Sequence, residues 1–333
     1  MSKISVLGAG GWGLALSMSV ARNGHSVTVW SPFENEVSAL CEKRESERLL
    51  PGVRIPDEIR FTTNLSEIEG SEITVIATPS IAVRETAKRL KNIADCGIIV
   101  NVSKGIEYDT LYTLAQVIED ELPEKTVVVL SGPSHAEEVA RLVETSLVAT
   151  SKNLEAAETV QKAFASDKLR VYTNVDVTGV ELGGAFKNII AIAAGICDGL
   201  ELGDNTRAAL MTRGLTEMAR LGVKMGANEK TFAGLTGMGD LIVTCTSRHS
   251  RNHRFGEMLG KGVPVPEALS AVGTVEGYYA AAAAHRLQEK YGIEMPIIEQ
   301  SYLVMYKNKS VVDAVRDLMT RPSHGEIDDN WLQ

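Results

Sequence analysis

A chain of 333 residues is long enough for two domains, each with its own core. Its 44% hydrophobic and 23% charged content is that of an ordinary soluble globular protein, and a formal net charge of −9 argues against a general nucleic-acid binder while permitting a local basic pocket for an anion. The four cysteines, widely spaced, form no C-x-x-C pair, and the six histidines form no Cys/His or H-E-x-x-H cluster, so buried or incidental thiols are expected and no metal.

In chain order, residues 4–7 read as a buried strand that runs into Gly8-Ala9-Gly10-Gly11-Trp12-Gly13, a match to G-x-G-x-x-G. Helical spacing follows over 14–22, with a stop at Asn23-Gly24. Strand, glycine turn and helix in that order are the context of a dinucleotide fingerprint. Gly8 permits the tight turn, Gly10 lets backbone approach a pyrophosphate, and Gly13 lets helix and strand pack closely. The helix start offers N–H groups and a positive dipole end to the phosphates. A glycine-rich turn without a ligand has the same composition, but position and context favour the ligand. Lys3 followed by apolar residues has the outline of a signal peptide, yet the glycine turn interrupts it and no clean cleavage site follows. No apolar run reaches the length of a membrane span, and the longest, 189–197, suits a core helix. A soluble cytoplasmic protein is the expectation.

Residues 26–30 form a second, β-branched strand. At its end a typical NAD-binding unit carries an acid for the ribose 2′-hydroxyl. Here Trp30-Ser31-Pro32-Phe33-Glu34 has neither an acid at that point nor an arginine, so the choice between NAD and NADP stays open, with Glu34 a late candidate for the ribose. Residues 36–48 read as a solvated helical face, broken at Leu50-Pro51-Gly52. Further apolar strands are predicted at 73–77, 98–102, 127–130, 147–150 and 169–172, with a helix over 81–90. The alternation implies a Rossmann-type, doubly wound, mostly parallel α/β sheet. Lys104 follows a strand end, between Ser103 and Gly105, where a cation would face cofactor or substrate; a surface lysine in a loop is the equally plain account. Ser131-Gly132-Pro133-Ser134 is explained as well by turn chemistry as by function.

After about Asn174 the pattern turns helical. Residues 181–195 are an apolar helix interrupted by Lys187 and Asn188, with Gly183-Gly184 allowing another backbone close. Lys187 either snorkels to the surface or is held partly desolvated between the domains, where its pKa falls toward the range useful for proton transfer. A second glycine-rich stretch, 234–240, ends at Asp240. Arg248, Arg251 and Arg254 then recur every third residue with His249 and His253 among them, either a solvated face or a short basic cluster for an anion such as phosphate. Glu276 begins another helix, a favourable dipole position that needs no function. Residues 278–322 read as three helices broken near Gly292 and at Lys307-Asn308, and the tail from Ser323 as polar and loose. With no glycine- or proline-rich linker, the division is set at residues 1–178 for a dinucleotide-binding domain and 179–333 for an all-helical substrate domain.

The ordered set of motifs resembles bacterial NAD(P)-dependent glycerol-3-phosphate dehydrogenase over nearly the whole chain: GAGGWG at 8–13, SKG at 103–105, SGPSHAEE at 131–138, LGGAFKNIIAIAAG at 182–195, GLTGMGDLIVTCTSRHSRN at 234–252 and VEGY at 275–278. The resemblance implies a Rossmann-type domain followed by an all-α domain like the C-terminal domain of 6-phosphogluconate dehydrogenase. It also implies reduction of dihydroxyacetone phosphate by NADPH or NADH to sn-glycerol 3-phosphate for glycerophospholipid synthesis. Apart from the resemblance, a homodimer through the helical domain, without membrane insertion, is the expectation. By motif match, Lys187 is the general acid/base, Lys104 holds and polarises the substrate, and Asp240 orients Lys187. Ser250, Arg251 and Asn252 hold the substrate phosphate and neighbouring oxygens, with Gly132 and Ser134 on the other side. Gly11 and Trp12 sit on the cofactor pyrophosphate, with Gly8, Gly10 and Gly13 completing the cofactor-binding turn; Ala136, Arg251 and Glu276 touch the nicotinamide or ribose end, and Lys104 is a further cofactor contact. Members that use NADPH often carry a basic residue after the second-strand tryptophan, which Ser31-Pro32-Phe33 does not supply. The rival readings are a reductase of another small hydroxy acid or phosphosugar, and a cofactor-binding sensor without turnover; a sensor has no need of Lys187, Asp240 and Arg251 together.

Overall fold

The computed structural model describes residues 1–323 together with Gly325 and Glu326. The chain divides into two compact units: Met1–Ser103 with Leu114–Val177, and Lys104–Thr113 with the chain from Thr178 onward.

The first unit is built on an eight-stranded sheet. Its strands are β1 (Lys3–Leu7), β2 (Ser26–Trp30), β3 (Arg60–Thr62), β4 (Ile73–Ile76), β5 (Ile98–Asn101), β6 (Val127–Ser131), β7 (Thr145–Thr150) and β8 (Leu169–Asn174), in the order β3-β2-β1-β4-β5-β6-β7-β8. All neighbours are parallel except β6 and β7. Residues 4–7 of β1 and all of β4 are buried, as expected for parallel strands covered on both faces. Three-residue β3, with Arg60 exposed, carries too little apolar pattern to be read from sequence. Register aligns Leu7 with Trp30 and with Ile76, and Ile76 with Asn101, so the carboxyl ends of β1, β2, β4 and β5 form one row. Strand order reverses at β1, between β2 and β4, and such a switch point is where open α/β sheets bind ligands.

The second unit is helical. Its longest helix, Val177–Gly199, is buried along most of its length and forms the spine of a core that includes Leu182, Phe186, Ile189, Phe232 and Phe255. At 23 residues it exceeds the 181–195 stretch read from sequence, and by length and composition alone it would qualify as a membrane span; its apolar window is 94% buried inside the protein, so it serves here as a core helix. Gly195 on this helix sits against the carbonyl of His253, and Gly256 against the carbonyl of Ile192, so close that a methyl at either glycine would overlap backbone. The later helices, Glu276–Tyr291, Pro296–Lys307 and Val311–Met319, break at Gly292 and Asn308, both left-handed, as predicted. Buried Glu217 accepts from the N–H groups of Ile297 and Ile298 at 2.8 and 3.1 Å, satisfying the first turn of the helix Pro296–Lys307.

The segment Lys104–Thr113 corrects the division at 178, which had assigned it to the first domain. An Ile106–Thr113 bridge closes it, Ile106 is buried in the helical core, and Arg286 Nη1 donates to the carbonyl of Tyr108. Burial of Ile106 outweighs sequence adjacency to β5. The polar tail read from Ser323 lies, beyond Glu326, outside the described residues.

Candidate active site

In the first unit the glycine turn begins where β1 ends. Gly8 donates to the carbonyl of Trp30 at 2.8 Å and has φ +117°, a conformation that L side chains rarely adopt. Gly13 opens onto the carbonyl of Gly8, 2.1 Å from where a β-carbon would lie, so helix and turn pack without room for a side chain. Gly10 is different. It is the N-cap of the helix Gly11–Arg22, caps it with no side chain, and has nothing within 4 Å of the position a β-carbon would take. That space, beside N–H groups at a helix start, is a cradle that a methyl would fill, and it fits a pyrophosphate. Ala136 stands 3.6 Å from the β-carbon position of Gly11, so it rims the same turn, and Trp12 is half-buried. Gly132 is buried with φ +139°, and Ser134 Oγ donates to its carbonyl. At the end of β2, Glu34 is exposed. The carboxylate that folds back to the strand end is that of Glu36, whose Oε2 accepts from Ser31 Oγ at 2.5 Å.

In the second unit three predicted residues converge. Lys187 Nζ donates to Asp240 Oδ1 at 2.5 Å, and Lys104 Nζ to Asp240 Oδ2 at 2.5 Å. The side chains of Lys187 and Asp240 are 7% and 2% exposed and that of Lys104 19%, so the cluster is desolvated yet reachable from one side. The backbone explains the convergence. Gly183, one turn before Lys187 on the same helix face, brings the carbonyl of Thr236 within 2.5 Å of its β-carbon position. A π-turn over Leu235–Gly239 then delivers Asp240 as the first residue of the helix Asp240–Thr246. A carboxylate in a first helical turn is favoured by the dipole.

Thr244, four residues on, enters the sequence reading only within the 234–252 motif. Its hydroxyl donates to the Asp240 carbonyl and accepts from Lys187 Nζ, both at 2.6 Å. The i,i+4 spacing from Asp240 was the available signal. Burial pulls Lys187 down to about 8, opposed by Asp240 and assisted by the charge of Lys104. Burial works to raise the Asp240 carboxyl, but the two ammonium groups outweigh it and hold that carboxyl below the usual carboxylate range. Burial pushes the neighbouring Cys245 thiol up to about 12, so it is no nucleophile.

One residue along from Lys187, Asn188 Oδ1 accepts from Asn252 Nδ2 at 2.9 Å, and Asn252 Oδ1 accepts from the N–H of Gly277 at 2.9 Å. This chain of amides fixes Ser250, Arg251, Asn252 and the half-buried Glu276 to the helix that carries Lys187. Ser250 caps the helix Arg251–Gly260, its hydroxyl accepting from His253 N at 3.2 Å. The basic cluster divides. Arg248, Arg251 and Arg254 are exposed, while His253 is buried and its Nε2 lies 2.8 Å from Asp198 Oδ2. Of the sequence candidates, Gly8, Gly10, Gly11, Trp12, Gly13, Gly132, Ser134 and Ala136 therefore belong to the first unit, and Lys104, Lys187, Asp240, Ser250, Arg251, Asn252 and Glu276 to the second. Among the described residues no three His, Cys, Asp or Glu side chains gather as a metal site.

Comparison with known proteins gives one consistent answer. Residues 3–157 match a family model described as NAD-dependent glycerol-3-phosphate dehydrogenase N-terminus, and residues 176–316 the model of its C-terminus. A glycerol-3-phosphate dehydrogenase [NAD(P)+] of Fusobacterium nucleatum is 50% identical over 332 residues, covering 98% of this chain and 99% of that one. The protein of the same description from Bacillus pumilus is 50% identical over 335 residues, covering 99% and 97%. The crystal structure of glycerol-3-phosphate dehydrogenase from Coxiella burnetii superposes with a TM-score of 0.93 at 39% identity, covering 96% of this chain and 99% of that one.

Proposed function

Since the chain belongs to the NAD-dependent glycerol-3-phosphate dehydrogenase family, we propose that it reduces dihydroxyacetone phosphate to sn-glycerol 3-phosphate, reversibly, and so feeds glycerophospholipid synthesis. The observation that carries the reading is the buried cluster of Lys187, Asp240, Lys104 and Thr244. NAD(P)H, when bound, supplies the hydride. The open cradle at Gly10 and the helix start behind it hold the pyrophosphate, with Gly8, Gly11, Trp12, Gly13 and Ala136 shaping the turn.

An ammonium has three N–H donors. Lys187 gives one to Asp240 and one to Thr244, and the third goes to the ketone oxygen. As hydride reaches the carbonyl carbon, negative charge grows on that oxygen. Lys187 passes it a proton, and Lys104 adds a second positive charge to the field. Two lysines against one aspartate leave the cluster with an excess positive charge suited to the developing alkoxide. Asp240 stays ionised throughout and aims both lysines. In the reverse direction neutral Lys187 takes the hydroxyl proton, and a lysine near 8 is matched to both tasks at ordinary pH. Arg251, Ser250 and Asn252 hold the substrate phosphate, with one N–H of Asn252 committed to Asn188. Gly132 and Ser134 are further substrate contacts, and Arg251, Glu276 and Lys104 also touch the nicotinamide end of the cofactor. We place the enzyme in the cytoplasm as a homodimer, with the Val177–Gly199 helix a core element and no membrane insertion.

The test is loss of reduced-nicotinamide absorbance with dihydroxyacetone phosphate, run with NADH and with NADPH. Turnover is expected. A folded, cofactor-binding protein inactive with both would favour another hydroxy-acid or phosphosugar substrate, or a sensor.

A further inference from the structure

The carboxyl end of β2 is where a dinucleotide fold meets the adenosine ribose, and the residues that follow decide whether a 2′-hydroxyl or a 2′-phosphate is accepted. Here those residues are Ser31-Pro32-Phe33-Glu34-Asn35-Glu36, with two acids and no base. The geometry sorts the acids. Glu34 is exposed, whereas Glu36 reaches back to the strand end. Ser31 is 1% exposed and fixed from three directions. Its N–H donates to the carbonyl of Thr62 on β3 at 3.1 Å, its Oγ accepts from Phe33 N at 3.4 Å, and its hydroxyl proton goes to Glu36 Oε2. Glu36 is anchored in turn by its own N–H, which donates to the carbonyl of Phe33 at 3.1 Å. β2 lies beside β1 with Trp30 level with Leu7, so this carboxylate belongs to the strand end next to the glycine turn.

We propose that Glu36, oriented by Ser31 at the end of β2, receives the adenosine ribose hydroxyls and makes the protein select NAD(H) over NADP(H). The inference rests on the dehydrogenase reading above and adds the cofactor preference. A carboxylate accepts a hydrogen bond from a 2′-hydroxyl but has no donor for a phosphate, and a 2′-phosphate carries about −1.5 to −2 charge at neutral pH, which the carboxylate repels. The serine hydroxyl supplies no cation in its place. Its proton is committed to Glu36. Ser31 is thus a positioning residue and Glu36 the group that touches the cofactor.

The experiment is calorimetric titration of the full-length protein with NADH, NADPH, 5′-ADP and 2′,5′-ADP, which needs no hydride transfer, alongside the kcat/KM ratio for the two reduced cofactors. The wild type should bind NADH and 5′-ADP at least about tenfold more tightly than their 2′-phosphorylated counterparts. Glu36→Gln keeps the shape and the Ser31 hydrogen bond while removing the charge, and should narrow both ratios by about tenfold. Ser31→Ala should narrow them less, in the same direction, and it carries the test if Glu36→Gln melts below the assay temperature. Equal wild-type binding of the two cofactors, or ratios untouched by both variants, overturns the proposal. Selective binding without turnover of dihydroxyacetone phosphate would instead leave Glu36 in its role and remove the substrate assignment.

Discussion

The glycine turn of the first unit and the lysine–aspartate cluster of the second prepare for charge by opposite means. At the turn, side chains are left out. Gly13 has backbone where a methyl would go, Gly10 has space, and the attraction for an anion comes from peptide N–H groups at a helix start. In the cluster, charges are put in and kept dry, at distances that make each ion answer for the others. Backbone dipoles cannot titrate, so the first arrangement is indifferent to pH. Buried ammonium groups can, and burial has drawn Lys187 to about 8, where it can both give and take a proton. A binding site needs only the first device; acid–base chemistry needs the second.

The contrast is broken most forcefully at Lys187. Lys187→Ala should lower kcat by about 10²–10⁴ while cofactor titration stays near wild type, because proton transfer is lost and the glycine turn is untouched. A near-normal rate would take the proton-donor role away from this residue. The turn is tested by a pair. Gly13→Ala forces a methyl against the Gly8 carbonyl and should cost on the order of 1–3 kcal/mol of stability in a denaturant titration. Gly10→Ala meets no protein atom, so its melting temperature should hold while cofactor affinity falls about tenfold or more; equal melting losses in both would mean that Gly10 is structural. Arg251→Ala removes a charge-assisted contact and should raise KM for the phosphorylated substrate about tenfold with a smaller change in kcat. An unchanged KM would move the phosphate site elsewhere.

Two gentler tests use pH. Reduction needs Lys187 protonated, so kcat/KM for the ketone should fall as pH rises through about 8, and that for oxidation should rise through the same value. Glu217 sharpens the comparison from within the helical unit, being a buried acid held by two backbone N–H groups instead of by paired lysines. Burial raises it from 4.5 to about 7. The native state then holds a proton that the unfolded chain has released. The stability this contributes is fully present below about pH 4.5 and is lost as pH rises through about 7, by on the order of 1–3 kcal/mol. Glu217→Gln should flatten that slope in urea titrations across the range; an identical slope would assign the pH dependence to other groups.

The turn was legible because its signal is local. Strand, spacing and glycines lie within thirteen residues, and each glycine has a steric reason that can be stated in advance. The cluster joins positions 104, 187, 240 and 244, and no periodicity connects the first three; only the ordered resemblance put those together. Thr244 stayed hidden inside Leu241-Ile-Val-Thr-Cys-Thr, where a hydroxyl among apolar neighbours reads as core. Glu36 was passed over for Glu34 because linear distance from the strand was the only guide, and a helix that starts at Glu34 turns its third residue back toward the strand. The five-residue gap between Ser31 and Glu36 carries no pattern. β3 was missed for the same lack: three residues with one exposed arginine are not a period.

The excursion Lys104–Thr113 means that the chain passes between its units three times, after Ser103, after Thr113 and after Val177. The modules visible to heredity and those visible to physics consequently have different edges. A recombination at 177 would look clean on a gene map, yet it would hand the helical half a foreign Lys104 and a foreign Ile106, one salt-bridged to Asp240 and the other buried in the helical core. Ten residues must therefore be inherited with the partner they touch and not with the partner they follow, and a functional hybrid of two such enzymes should be assembled from four pieces of sequence, joined after Ser103, Thr113 and Val177.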